Sequence, residues 1–360
     1  MKKQAAGEWA TSPSGNPPFA ALIAAALFSA GAAATTFDGA YADEGGVSFW
    51  LPGEFGSLAA APQVPGWSLG IVNYYTSVNA SGNIAAAREV TTNRFSTTVN
   101  VNLNVNLKGN ADLVVVQPTY VFATPVFGGQ FAAGMAVYGG RNAAQIDGTL
   151  TASSGGVVTT RQGSISDSLT AFGDLFPQVS LRWNAGVNSW MIYAMGDVPV
   201  GNYNPANLSN LGIGHGAIDG GAGYTYFDPK TGHEFSVVTG LTGNFTNPST
   251  GYTNGIDWHV DWGASQFVTK QILVGAVGYF FQQITPDQGA AAFLGSNEGR
   301  VAGIGPQVGF IIPAGPMQAY LNLKGYWEFA AENRASGWNA WVTLAFSPSA
   351  APSAQPVITK

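Results

Sequence analysis

The sequence predicts an all-β fold, a transmembrane antiparallel up-and-down β-barrel of about twelve strands (fourteen as the alternative) with a short N-terminal lead-in or plug. Three observations predict it. Apolar and polar residues alternate with period two in segment after segment, most plainly in VNVNLNVNL at 99–107, and only a strand sends successive side chains to opposite faces. Charged residues make up 9% of the chain, against about 25% in soluble domains. Beyond the N-terminal region no run of about 20 apolar residues occurs, so helical spanning is not expected, and a closed sheet is the other way to satisfy the backbone in lipid.

Composition excludes other classes. Lys and Arg number 14 against 20 Asp and Glu, a net charge of -6, which offers no basic patch for nucleic acid. The absence of Cys rules out disulfides and thiolate metal sites and suits an exported chain.

Residues 1–42 read as a signal peptide. Lys2 and Lys3 precede the apolar run FAALIAAALFSAG (19–31), and Ala40-Tyr41-Ala42 supplies a small-x-small cleavage site, with Ala32 to Ala34 as a competitor. Residues 43–66 contain SFWLPGEFGSLAAAP, whose Pro, Gly and aromatics lack strand periodicity. This lead-in reads either as a plug or as an unstructured approach to the first strand.

The barrel is expected over 67–346. Strands are read at 67–77, 95–122, 128–139, 170–183, 187–197, 215–227, 233–245, 255–267, 271–284, 299–312, 317–330 and 337–346. Segment 95–122 reads as one long strand bulged at Gly109, because two strands there would break the even count of a bacterial barrel; fourteen remains the alternative. In 99–107 the Val and Leu residues are expected to meet hydrocarbon and the Asn residues a wet interior. Nine residues at about 3.3 Å, tilted by about 40°, would cover about 23 Å of membrane. Connections at 185–188, 228–232, 268–271 and 313–316 are short; those at 140–168, 198–214, 246–254 and 285–298 are long. Short turns belong on the periplasmic side and long loops outside.

The same alternation names the lumen. Trp258, Val260 and Trp262 face one way and Asp257, His259 and Asp261 the other; charged groups do not belong in hydrocarbon, so these three line the interior. Arg182, Glu234, Lys324 and Glu328 join them on inner faces. These charges either pair across the lumen or edge a water path. Near the end, Trp338, Ala340, Val342, Leu344 and Phe346 all face outward. The glycines of GAIDGGAG (216–223) relieve crowding in the wall or pin a bulge.

The order FWLPGEFGS (49–57), GDLFPQVSLRWN (173–184), DPKTGHEFS (228–236), GYFFQQITPD (278–287), GRVAGIGPQVGF (299–310) and WEFAAENRASG (327–337) resembles the bacterial outer-membrane proteins associated with the meta-cleavage pathway of phenol degradation. The layout is similar to transporters of hydrophobic compounds of the fatty-acid-channel type. The strand WNAWVTLAF (338–346) resembles the signal read by the barrel-assembly machinery. The tail 347–360, rich in Pro and Ser, is expected to be disordered.

The resemblance implies a multi-pass protein of the bacterial outer membrane, in contact with its lipid and lipopolysaccharide, that passively admits a small apolar or aromatic solute to the periplasm. Phe49, Trp50, Phe55, Tyr279, Phe281, Tyr320 and Tyr326 are candidates to touch the solute, or else ordinary packing and interfacial girdle. A narrow nonspecific porin is the alternative, and an outer-membrane enzyme or structural barrel a third. His259, flanked by Asp257 and Asp261, is the best catalytic or metal-like constellation, but one strand does not enclose an ion, and no nucleophile elbow, HExxH or Walker loop is present. No catalytic residue, metal or cofactor is therefore assigned.

Overall fold

The computed structural model describes residues 48–92, 95–154, 157–289 and 298–349, without the side chains of 83–101, 103 and 154–157. The signal peptide expected at 1–42, residues 43–47 of the lead-in and the tail beyond 349 lie outside the described residues.

The strands are β1 (Gly66–Thr92), β2 (Phe95–Val121), β3 (Gln130–Ser154), β4 (Val157–Ala185), β5 (Asn188–Asp197), β6 (Ala217–Phe227), β7 (His233–Asn244), β8 (Tyr252–Thr253), β9 (Asp257–Phe267), β10 (Ile272–Gln283), β11 (Gln288–Gly289), β12 (Arg300–Ala314), β13 (Met317–Glu332) and β14 (Ser336–Pro348). All but β8 and β11 close into one antiparallel barrel of twelve strands in chain order, sealed by β1 against β14. The small β8–β11 ladder ties two connections together at one rim.

Period two carries through the wall. In β9, Asp257, His259, Asp261, Gly263 and Ser265 are buried while Trp258 is exposed. Leu241 and Phe235 of β7, Ile304 of β12, Leu323 and Trp327 of β13 and Trp338, Val342 and Phe346 of β14 are likewise exposed. A belt of this kind is stable only against lipid, since bare large apolar groups over such an area would drive association in water.

The strands β1 to β4 are longer than the sequence suggests. The pairing of β1 with β14 ends at Asn79 and Ser336, yet its pairing with β2 continues to Thr92 and Phe95. Residues 80–92 therefore add about 40 Å of strand beyond the closed wall. Of the span 140–168, read as a long loop, residues 140–154 and 157–168 belong to strands β3 and β4 instead, paired from Gly140 and Ala171 to Ser154 and Val157. Its Ser, Thr and Gly residues hide the alternation.

Strand β2 is single, as expected, but has no bulge at Gly109: its pairing to β1 runs without a shift from Gly66 and Val121 to Thr92 and Phe95. That unbroken register corrects the assignment of faces in 99–107. Val114 and Tyr120 are exposed on the outer wall and Leu113 and Val121 are buried, so even positions of β2 face out. Asn102, Asn104 and Asn106 share the outer face, where Asn106 Nδ2 donates to Asn104 Oδ1 at 3.3 Å and Lys108 pairs with Asp147 at 3.8 Å. Val105 and Leu107 belong to the other face, continuous with the lumen wall. The physical reason is height. On the outer face Asn73 donates to Asp112 at 2.7 Å, and Arg141 lies opposite Asp112 in the register, so the outer surface of these strands turns polar there and stays polar through the Asn residues. The lipid-facing part of β2 is 114–120.

Candidate functional site

Residues 48–65 run inside the barrel. Their partners come from β3, β4, β6, β7, β9, β12 and β13, strands from around most of the wall, and only a chain in the lumen reaches them all. Pro52 and Gly53 make the turn that starts it, closed by the Glu54 N–H donating to the Leu51 carbonyl at 3.2 Å. Gly53 has φ 92°, and a methyl group there would sit 2.9 Å from Tyr326 and 3.2 Å from Tyr279. Glycine is demanded twice over, by conformation and by space.

Asp261 accepts from the N–H groups of Gly53 at 3.1 Å and Phe55 at 3.0 Å. Lys324 donates to the carbonyls of Gly53, Glu54 and Phe55 at 2.7, 3.1 and 3.3 Å. Glu234 accepts from Leu58 N–H at 2.8 Å, and Thr225 from Ala60 N–H at 2.9 Å. Gln307 Nε2 donates to Ser57 and Ser265 hydroxyls at 2.6 and 2.7 Å. Farther along, Arg182 reaches Gln63 Oε1 at 3.1 Å, and the Gln63 backbone exchanges two bonds with the Gln130 side chain. A segment without secondary structure thus finds partners for its backbone on lumen side chains, which is what burial requires.

Glu54 keeps part of its side chain open to the lumen, yet the surrounding wall deprives it of water. Burial raises its carboxyl to about 8, with Asp261 and Asp219 pushing the same way and Lys324 opposing them.

The aromatic candidates gather around this segment. Phe49, Trp50, Tyr279, Phe281 and Tyr326 are buried in one cluster, with Phe55 packed against it. Trp50 stacks on His259 with ring centres 3.6 Å apart and planes 14° apart. Phe49 meets Phe176 edge-on at 5.0 Å, and Tyr279 lies 4.9 Å from Tyr326. The guanidinium of Arg334 sits 4.5 Å over Phe281. Tyr320 stands apart from the cluster, on the lumen face near Gly309.

Of the polar candidates, Asp261, Lys324, Glu234 and Arg182 hold the segment directly. Glu328 accepts from Tyr279 OH at 2.8 Å and from Gly337 N–H at 2.7 Å. Asp257 accepts from Asn244 at 3.1 Å. His259 hydrogen-bonds neither of its same-strand neighbours; its Nε2 meets Asp219 Oδ2 of β6 at 2.8 Å, and Asp219 also accepts from Thr242 at 2.7 Å. Sequence reasoning missed Asp219 because it sits among the glycines of 216–223, although its odd position in β6 marks the inner face. Tyr193 was also missed: SWMIYAM is apolar on both faces, so no alternation shows. Strand β6 is unbulged across its pairing to β7, and Gly221 serves to clear Tyr193, whose hydroxyl would lie 2.7 Å from a methyl group there.

The connection after β5 also enters the mouth. Tyr138 OH donates to the Leu211 carbonyl at 2.6 Å, Asn142 to that of Asn210 at 2.9 Å, and the buried Asp174 accepts from Gly201 and Ile213 N–H at 2.6 and 2.8 Å.

No curated protein matches the chain. Among solved structures it is similar to the COG4313 outer membrane channel from Pseudomonas putida F1, at 14% identity over 80% of this chain and 97% of that one, with a TM-score of 0.57. A Pseudomonas aeruginosa FadL homologue matches at 9% identity over 88% and 98%, TM-score 0.40, and the CymD monoaromatic hydrocarbon channel at 11% over 87% and 98%, TM-score 0.29. The first of these shares the fold, an outer-membrane β-barrel. The family model described as "Putative MetA-pathway of phenol degradation" matches residues 92–344, and with its barrel wall and the motifs that run along it this chain belongs to that family.

Proposed function

We propose that the protein is a passive outer-membrane channel that admits small hydrophobic or aromatic compounds to the periplasm, with residues 48–65 as its plug. The observation that carries the reading is the aromatic filling of the lumen: Tyr193, Tyr279, Phe281 and Tyr326 of the wall pack with Phe49, Trp50 and Phe55 of a segment held by side-chain bonds. Apolar solutes cross the sugar-rich outer leaflet poorly, and a lumen that offers aromatic contacts lowers that barrier. Membership in a family tied to phenol degradation and a fold shared with a named outer-membrane channel support it.

A narrow nonspecific porin is less well supported, because Arg182, Glu234, Asp261 and Lys324 of the lumen are spent on the plug and the connection 198–216 occupies the mouth. An enzymatic role for the His259–Asp219 pair has weaker footing, since an aromatic ring covers the imidazole face. The test is uptake of naphthalene by cells with and without the protein. A faster initial rate with it, at low ion conductance in planar bilayers, is the expected result; equal rates overturn the reading.

A further inference from the structure

We propose that His259, Phe55 and Tyr193 form a binding cage for a planar aromatic ring, that Trp50 is its tethered resident, and that an incoming aromatic solute takes the place of the indole. The proposal rests on the channel reading for its solute and adds where, and by what chemistry, that solute is recognised.

Trp50 is 1% exposed and His259 fully buried. Around the indole stand the imidazole at 3.6 Å, Phe55 at 5.8 Å with planes 26° apart, and Tyr193 at 6.4 Å; Phe55 and Tyr193 are themselves 5.6 Å apart. Aromatic rings at these separations attract one another beyond the area they bury.

The wall is shaped for these rings. A methyl group on Gly240 would lie 2.4 Å from Tyr193 OH and 2.8 Å from His259, and one on Gly221 2.7 Å from Tyr193. The bond from His259 Nε2 to Asp219 at 2.8 Å fixes the imidazole plane, so the stacking surface is oriented before any ligand arrives.

What the cage asks of its occupant is a flat face. The indole N–H of Trp50 is buried without a hydrogen-bond partner, although a buried Trp N–H ordinarily finds one. A ring that leaves its polar atom unsatisfied is held for its π surface, and a hydrocarbon ring of similar size loses nothing by lacking that atom. The occupant is therefore a flat aromatic of one or two rings, and because Tyr193 OH and His259 Nδ1 of the cage are likewise buried without partners, a hydroxyl on that ring is compatible with the site.

Trp50 is also placed to leave. The bonds on the plug are densest from the Pro52-Gly53 turn onward, at Gly53, Phe55, Leu58 and Ala60, while ahead of the turn Arg334 donates to the Ser48 hydroxyl at 3.3 Å. The Trp50 carbonyl is held by the neighbouring Ser48 hydroxyl at 2.9 Å. Exchange of ring for ring leaves the stack intact, so solute concentration sets the balance between the two occupants.

The test uses the wild-type chain in lipid nanodiscs with its tryptophans replaced by 5-fluorotryptophan. The Trp50 fluorine resonance is assigned by its loss in Trp50→Phe. Naphthalene is expected to move it from a buried to a solvated position with saturation. Decahydronaphthalene, equal in carbon count but not flat, should need at least about tenfold more, or about 1.4 kcal/mol by the fold-change. A resonance that naphthalene leaves in place, or that both hydrocarbons move alike, overturns the proposal. The readout is independent of uptake, so a failure of the channel reading would show in cells while the resonance still moved.

Discussion

Lys324 and Asp261 hold the same turn of chain through opposite polarity: the ammonium takes the carbonyls of Gly53, Glu54 and Phe55, and the carboxylate takes the N–H groups of Gly53 and Phe55. The two residues lie on β13 and β9, with β10 and β12 between them in the wall, so the turn bridges a quarter-arc of the barrel from inside.

Lys324→Met should release that turn while leaving the wall intact. Hydrogen bonds to charged groups contribute roughly 1.5–3 kcal/mol each, and losing the shared set should weaken docking of 48–65 by about 3 kcal/mol. Raised single-channel current in planar bilayers and faster proteolysis of the N-terminal segment, at unchanged heat-modified gel mobility of the barrel, are the expected outcomes. Unchanged current and unchanged cleavage would count against Lys324 as an anchor.

Glu54 makes docking depend on pH. Its carboxyl is raised from the ordinary 4.5 to about 8, chiefly by burial. Between those values the docked segment holds a proton that the released one lacks, so docking is strongest below about pH 4.5, weakens as pH rises, and levels off above about 8. Ionised Glu54 then faces Asp261 and Asp219, with Lys324 alone opposing. Channel current should therefore climb several-fold between pH 5 and 8 and flatten beyond, while Glu54→Gln, a permanent mimic of the protonated form, should stay low throughout. The decisive comparison is current against pH for the two proteins.

Gly240→Val tests the fit of the cage wall. Its added atoms would begin 2.4 Å from Tyr193 OH and 2.8 Å from the His259 ring, a collision that rotamer changes do not relieve because the imidazole is fixed by Asp219. Overpacking of this kind costs about 1–3 kcal/mol. A lower melting temperature is expected, with Trp50 more accessible to acrylamide quenching. Gly220→Val, whose neighbouring position in β6 faces outward, should be near neutral by both measures.

Much of the barrel was legible in the residues because a wall between lipid and lumen punishes every exception to period two. Trp258 against His259, or Leu323 against Lys324, announce their faces unaided. The legible part ends where one of the two environments changes. Beyond Asp112 the outer face of β2 turns polar, so the rule that apolar means outward fails for Val105 and Leu107 although the alternation persists. The site was legible by residue type and not by partnership: His259 could be placed inside, but its carboxylate stands 40 positions away in β6, and pairing across strands leaves no trace in local spacing. Tyr193 was invisible for a third reason, its strand being apolar on both faces.

The height of the lipid boundary on β2 can be measured by charge. Leu241 of β7 is 50% exposed on the outer wall, and an arginine in the middle of the hydrocarbon costs about 2–4 kcal/mol. Leu241→Arg should therefore lower folding stability in lipid vesicles by roughly that amount. Asn104 and Asn106 also face outward, but beyond the polar step marked by Asn73, Asp112 and Arg141, and Asn106→Arg should change stability by no more than about 0.5 kcal/mol, as exposed surface substitutions do. Leu107→Arg gives the opposing control: its face continues into the lumen wall, so the new charge meets Ala80 across the β1 pairing and not lipid. If Asn106→Arg proved as costly as Leu241→Arg, the Asn face would lie in hydrocarbon and the boundary drawn at Asp112 would be wrong.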